Sequence, residues 1–207
     1  MLIKFEDIVS RYGTPKGVIH IGAHLMEERN DYLLYDLENT IWVEANPSKY
    51  KSISRVNQAP NHESAFNYAI TDSDNQELDF YITNNGESSS ILALDKHSIH
   101  HPSVHVTETI KVKTKRLDSL IKENSIDINC YNFLNIDIQG AELLALKGAG
   151  DLINSIDFIY TEVNTAHLYK DCPLIGEIDD YLNGFGFSRE ETKMTQYEWG
   201  DALYIRL

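Results

Sequence analysis

Residues 17–28 read GVIHIGAHLMEE, from Gly17 to Glu28. A short, mostly apolar run, Gly17 to Ile21, stops at Gly22-Ala23-His24, and a helix-like stretch follows from about Glu27 to Leu37. A strand that runs into small residues and then a helix is the opening half of a βαβ unit. In an open α/β sheet, ligands bind beyond the carboxyl ends of the strands, where the strand order reverses. Small residues at that point let a ligand come close to the backbone.

The same rhythm continues on the C-terminal side. Thr40 to Glu44 (TIWVE) reads as a second strand closed by Asn46-Pro47, followed by a helix pattern from Ser48 to about Val56. Ala65 to Ile70 reads as a third strand ending at Thr71-Asp72. Residues 76–114 break the pattern. The stretches ELDFYIT, SSSILAL and VTETIKVKT alternate apolar and polar, with an Asn85-Gly86 turn, and predict antiparallel strands in an insertion or lid. A helix over about Leu117 to Glu123 then leads to Tyr131–Ile136, a buried strand ending at Asp137. Gly140, a helix from Ala141 to Lys147, a strand from Ile156 to Val163 and a helix from Ile175 to Leu182 follow. The last two runs, FSREETKM and DALYIRL, predict an antiparallel hairpin. The predicted fold is α/β: one Rossmann-like, doubly wound domain over residues 1–207, with a mostly parallel sheet, a C-terminal antiparallel strand and a β-rich insertion.

The chain has 207 residues, 42% of them apolar and 24% charged, which suits a globular domain with its own core. Its formal charge of −14 disfavours a phosphate backbone, so nucleic acid is not an expected partner. No apolar run approaches the ~20 residues of a membrane span, and the first residues carry acids where a signal peptide needs an apolar stretch. The expectation is a cytoplasmic protein without membrane insertion. Cys130 and Cys172 form no metal or disulfide pattern.

Glu44, at the end of the second strand, is placed to bind ribose hydroxyls, so the constellation points to a nucleoside ligand. A dinucleotide needs a glycine-rich turn to hold pyrophosphate. Here the loop lacks G-x-G-x-x-G and carries Glu27 and Glu28. These acids oppose a pyrophosphate and suit the ammonium and sulfonium groups of S-adenosylmethionine (SAM).

The stretches VIHIGAH, IWVEANP, NNGESSSIL, NFLNIDIQGAELLALKG, YTEVN and WGDALYIR together resemble the FkbM family of SAM-dependent methyltransferases. The resemblance runs from about residue 17 to the C-terminus and is most specific around Asp137. It implies an O-methyltransferase acting on sugars or related natural-product hydroxyls, with SAM as cofactor. It implies that Gly22, Ala23 and His24 line the methionine moiety, that Glu44 holds the ribose with Asn46 supporting the turn, and that residues around Ala69 to Asp72 face adenine. Asp137 would stand beside the sulfonium. Two positions depart from the pattern: Gln139 replaces the acid of Ile-Asp-x-Glu-Gly, and Met26 stands where such loops often have another glycine.

Methyl transfer to oxygen depends mostly on alignment, and a general base within hydrogen-bond reach contributes roughly 10²–10⁴-fold. Asp137 is the first candidate for base or acceptor positioning, Glu162 the second and His167 the third. The final antiparallel strand starts on the same rim, so Trp199 could stack on a sugar ring and Asp201 could bind hydroxyls. Residues 84–105 and 195–201 are expected to form the acceptor rim, with Asn85, Ser89, His97 and His101 among the contacts. The spacing of His97, His100, His101 and His105 invites a zinc reading, but Pro102 interrupts it and no cysteine joins it. Asp137 and Glu162 are of a type that could hold Mg²⁺. No metal is predicted. The function expected is SAM-dependent O-methylation of a sugar or glycan. The alternatives are a lipid or small natural-product acceptor, and a non-catalytic nucleoside-binding module.

Overall fold

The computed structural model describes residues 1–58 and 62–207. After α1 (Phe5–Tyr12) the chain enters β1 (Val18–Ile21), α2 (Arg29–Leu33), β2 (Thr40–Val43), α3 (Pro47–Ile53) and β3 (Glu63–Phe66). It then leaves the sheet for β4 (Ala69–Ile70), β5 (Glu77–Thr83), α4 (His97–His100) and β6 (Val106–Lys115). It returns through α5 (Leu117–Glu123), β7 (Phe133–Ile136), α6 (Glu142–Ala149), β8 (Phe158–Asn164) and α7 (Ile175–Asn183), and ends in β9 (Phe187–Met194) and β10 (Trp199–Arg206).

The main sheet has seven strands in the order β3-β2-β1-β7-β8-β10-β9. The first five are mutually parallel, and β10 runs antiparallel to both β8 and β9. Strand order reverses between β1 and β7, where the chain first winds one way and then the other. The fold class expected from the sequence is the one observed.

Side-chain alternation explains why these strands read as continuous apolar runs. Val18, Trp42, Phe133 and Tyr160 face one layer with Phe5, Ile8 and Tyr32 of α1 and α2. Ile19, Ile21, Ile41, Val43, Leu134, Ile136 and Ile159 face the other with residues of α5, α6 and α7. With both faces covered, both sides of the sheet are mostly apolar, and the polar His20 and Asn135 are satisfied by the Tyr32 hydroxyl. Each fully buried side chain of this size contributes ~1.5–3 kcal/mol.

Three local expectations change. The helix expected over Glu27–Leu37 is the short α2, because the chain turns at Asp36 with φ 57°. The third strand, expected as Ala65–Ile70, is split. Asn67 Nδ2 donates to the carbonyls of Glu44 (2.7 Å) and Ala45 (3.1 Å), which turns the chain away from β2, and β4 pairs with β6 instead. The insertion is β-rich, but SSSILAL is not a strand. β5 pairs with β6, and the segment between contributes only the Tyr81–Ser90 and Leu94–Tyr169 bridges among the described residues. The resulting sheet, β4-β6-β5, stands as a wall beside the carboxyl ends of the main strands.

Candidate active site

The reversal between β1 and β7 opens into a cavity of about 630 Å³, within the ~300–1,000 Å³ usual for small-molecule sites. Its floor is the ends of β1, β2, β7 and β8, and its wall includes Phe80 of β5 and the loop after it.

Gly22 closes β1 with φ 90°, and an added Cβ would strike the Asp137 carbonyl. Glycine therefore lets the ends of β1 and β7 approach each other. The loop beyond it is strained: His24 (φ 44°) and Met26 (φ 65°) both hold left-handed backbone conformations. Met26 thus occupies, without being a glycine, a conformation that favours one. Glu44 stabilises this loop. Its Oε2 accepts the His24 N–H at 2.8 Å and its Oε1 accepts the Asn46 N–H at 2.7 Å. Asn46 caps α3 by accepting the Ser48 N–H at 2.9 Å, with Pro47 in the first turn. Beside Glu44 the cavity turns apolar, with Tyr68, Ala69, Ile70, Phe80 and Ile138. His24 Nδ1 bonds Glu27 at 2.6 Å, while its Nε2 is buried without a protein partner among the described residues. That orphaned nitrogen and the small-residue turn fit a polar nucleoside-type ligand such as SAM.

The strand ends next to Gly22 hold two carboxyl groups. Asp137 follows β7 and Glu162 lies in β8, and both line the cavity. Gln139 lies between them: its Nε2 donates to Asp137 Oδ1 at 2.7 Å and to Glu162 Oε2 at 2.6 Å. Desolvation at the cavity wall, and then the neighbouring Asp201, push the Asp137 carboxyl up to about 6. Burial and the charges of Asp137, Glu142 and Asp201 hold the Glu162 carboxyl well above the usual carboxylate range. The amide nitrogen occupies the position a cation shared by these two acids would need. Among the described residues no group of three or more His, Cys, Asp or Glu is arranged to hold a metal ion.

Beyond the carboxylates lie His97, His101, Leu168, Tyr169 and Trp199. The His97 ring is 4.9 Å from that of His101 and 5.5 Å from that of Tyr169. Burial, His101 and His100 lower its pKa to about 4, so His97 is neutral, and its buried Nδ1 lacks a partner among the described residues. His100 Nε2 instead meets Glu198 at 2.8 Å, and His105 is tied to the Ser103 carbonyl.

The structure thus brings together Gly22, His24, Glu44, Asn46, Ala69, Asn85, Ser89, His97, His101, Asp137, Glu162 and Trp199 around one cavity. Asn85 and Ser89 spend their polar groups holding their own loop: Asn85 bonds Thr83 and Ser88, and Ser89 bonds Thr83 and the Gly86 carbonyl. Four candidates fall outside the lining and are corrected. Ala23 packs into the core, because only Gly22 and His24 flank the opening. Asp72 is exposed, since β4 has carried the chain past the cavity, and it bonds Ser73. His167 is exposed, with Nδ1 2.8 Å from the Cys172 carbonyl. Asp201 is buried outside the lining, where its Oδ2 accepts from the Tyr160 hydroxyl and from the Leu2 N–H (2.6 Å). The sequence reading passed over Tyr169, Tyr68 and Phe80. None has a local signal, because the insertion and the loop after β8 reach the cavity only through the tertiary fold.

Comparison with known proteins agrees with this geometry. The model of the Methyltransferase FkbM domain matches residues 20–189. The chain is 30% identical over 128 residues to 2-O-methyltransferase NoeI of Sinorhizobium fredii (strain NBRC 101917 / NGR234). That match covers 58% of this chain and 51% of NoeI, so it spans about half the length of the curated relative. Among solved structures, the methyltransferase domain of bacterial CtHen1 superposes over 99% of this chain and 96% of its own, with a TM-score of 0.52 and 8% identity, a likeness of fold. The match over residues 20–189, together with a sheet that reverses at Gly22 and Asp137, shows that the chain belongs to the FkbM methyltransferase family.

Proposed function

We propose that this protein is a SAM-dependent O-methyltransferase acting on a hydroxyl of an uncharged saccharide. The observation that carries the reading is a single cavity lined by the carboxyl groups of Asp137 and Glu162 together with two unlike sets of side chains. One end has Glu44 and the apolar side chains of Tyr68, Ile70 and Phe80, which suits a ribose and an adenine. The other has neutral His97, Tyr169 and Trp199, which suits the C–H faces and hydroxyls of a sugar ring.

SAM, when bound, supplies an electrophilic methyl carbon on a sulfonium. Glu44, Gly22, His24 and Asn46 would hold it at the β1–β2 end. With SAM bound as the methyl donor, Asp137 would accept the proton of the acceptor hydroxyl at its Oδ2 as that oxygen takes the methyl group. A carboxyl whose affinity for protons is raised toward neutrality is better matched to this task than an ordinary one. Glu162, held closer to its neutral form, orients the acceptor.

The charge of the lining supports the acceptor class. Glu27, Glu28, Glu44, Glu87, Asp137 and Glu162 face the cavity, with Lys49 as the lone lysine or arginine among the described lining residues. A diphosphate-linked sugar or a nucleic acid would meet this field at a cost. The name of the relative NoeI, a 2-O-methyltransferase, supports an oxygen acceptor.

Labelled SAM with a panel of neutral, phosphorylated and nucleotide-linked sugars tests the reading. Transfer to a neutral sugar hydroxyl is expected. SAM binding without transfer to any hydroxyl overturns the catalytic reading, and thermal stabilisation by NAD but not by SAM overturns the cofactor.

A further inference from the structure

Two carboxyl groups stand at the ends of the adjacent strands β7 and β8, and the charge of Asp137 raises the proton affinity of Glu162. A single side chain touches both. Gln139 donates one amide proton to Asp137 Oδ1 at 2.7 Å and the other to Glu162 Oε2 at 2.6 Å. The orientation of that amide is set from its far side. Tyr169 donates its hydroxyl to Gln139 Oε1 at 2.6 Å, which turns the amide nitrogen toward the two carboxyl groups. The backbone is also committed to the arrangement. Gln139 holds φ 58° and Gly140 φ 97°, and an added Cβ on Gly140 would lie 3.0 Å from both Tyr169 and Cys172. Ser90 Oγ donates to the Gln139 carbonyl at 2.8 Å, tying the wall loop to the same turn.

We infer that Gln139 is the positioning residue of this site: its carboxamide bridges Asp137 and Glu162, with Tyr169 fixing the amide, and leaves Asp137 Oδ2 to receive the acceptor's proton. Among the described residues no hydrogen bond reaches that second oxygen. The inference rests on the methyl-transfer reading for its catalytic consequence, but the bridge itself is independent of it. It also accounts for the departure from Ile-Asp-x-Glu-Gly. A glutamate here, at the same length, would bring a third carboxylate between two others and would offer at most one proton, so it could satisfy only one of them. The other charged or titratable groups facing the pair are Asp201 on β10, Glu142 on α6, Glu28 before α2, Tyr169 and the amino group of Met1. The acids among them add negative charge, so a third carboxylate would hold a proton well above the ordinary range.

The test uses three variants of the whole chain, Gln139→Glu, Gln139→Met and Tyr169→Phe, with three readouts: SAM affinity by calorimetry, the pH profile of kcat, and Tm against pH. Gln139→Glu is expected to keep SAM affinity within about threefold, lose ~10²-fold in kcat at neutral pH and move the acidic limb of the pH profile up by about one unit. Because its new carboxyl keeps a proton when folded that it loses when unfolded, its Tm deficit must widen as pH rises from about 5 to about 8. Gln139→Met removes both donors without adding charge and is expected to lower kcat about tenfold or more with the cofactor affinity unchanged. Tyr169→Phe should have a smaller effect of the same kind, on kcat and not on SAM affinity. A Tm gap in Gln139→Glu that stays constant with pH overturns the bridge. An unmoved acidic limb, or Gln139→Met at wild-type kcat, overturns its catalytic role. If the unsubstituted protein transfers no methyl group, the methyl-transfer reading fails, while the Tm comparison still decides the bridge. If Gln139→Glu does not fold at neutral pH but folds near pH 5, that result supports the bridge.

Discussion

Glu44 and His24, at the ends of neighbouring strands, are joined by one bond, the His24 N–H donating to Glu44 Oε2 at 2.8 Å. The other carboxylate oxygen takes the Asn46 N–H at 2.7 Å. Both oxygens are needed as acceptors, which an amide cannot provide. Glu44→Gln turns an NH₂ group toward one of these N–H groups, at a cost of ~1–3 kcal/mol. SAM affinity should fall about tenfold or more, with a lower Tm. Calorimetric titration with SAM checks this. An unchanged Kd would remove Glu44 from the cofactor end.

Asp137→Asn keeps the shape of the side chain and abolishes its ability to accept a proton as a base. We expect kcat to fall by ~10²–10⁴-fold while SAM still binds. Turnover with labelled SAM on the acceptor identified in the panel provides the measurement. A loss confined to KM would instead mean that Asp137 only binds.

Two carboxyls with raised proton affinity also make stability depend on pH. Asp137 and Glu142 are raised to about 6 and about 7 in the folded chain, each chiefly by desolvation. An acid whose folded pKa exceeds its unfolded one contributes stability at low pH that is lost as pH rises through the folded value. Their combined contribution should therefore be lost between about pH 4 and about pH 7. Glu142→Gln keeps an acceptor for the Ile138 and Gly140 N–H groups and removes one titration. Its Tm should match wild type near pH 5 and exceed it above about pH 7. Differential scanning calorimetry across that range decides the point, and a difference that does not change with pH would contradict it.

Gly22→Ala asks the chain to hold φ 90° with a Cβ pressed on the Asp137 carbonyl. A loss of more than ~1–3 kcal/mol is expected, because the strain of the backbone and the clash act together. Chemical denaturation gives the value. A variant within ~0.5 kcal/mol of wild type would show that the turn relaxes freely.

The parallel half of the sheet was legible because it is buried on both faces: Val18–Ile21, Thr40–Val43 and Phe133–Ile136 read as mostly apolar runs, broken only by His20, Thr40 and Asn135. Gly22, Glu44 and Asp137 were legible as site residues because each follows directly on such a run. Side chains whose direction depends on distant chain were not. Asp201 pairs in register with Glu162 and was read as a hydroxyl ligand, yet Leu2, from the other end of the sequence, supplies its N–H. Asp72 was misread because the strand before it divides at Asn67, whose amide competes with the sheet for the carbonyls of Glu44 and Ala45. Gln139 was seen only as an acid missing from a pattern. Its positive role appears once Tyr169, thirty positions away, is seen on its amide oxygen.

The turn between β7 and α6 carries one more consequence. The N–H groups of Ile138 and Gly140 converge on a single oxygen of Glu142, at 3.1 and 3.0 Å. Converging backbone amides at the end of a strand form a nest, the device with which many α/β proteins seat a phosphate. Here the nest is already filled by the chain's own carboxylate. The Glu142 carboxyl is the resident occupant, so a ligand bearing a phosphate would have to displace a covalently tethered competitor to dock at this turn.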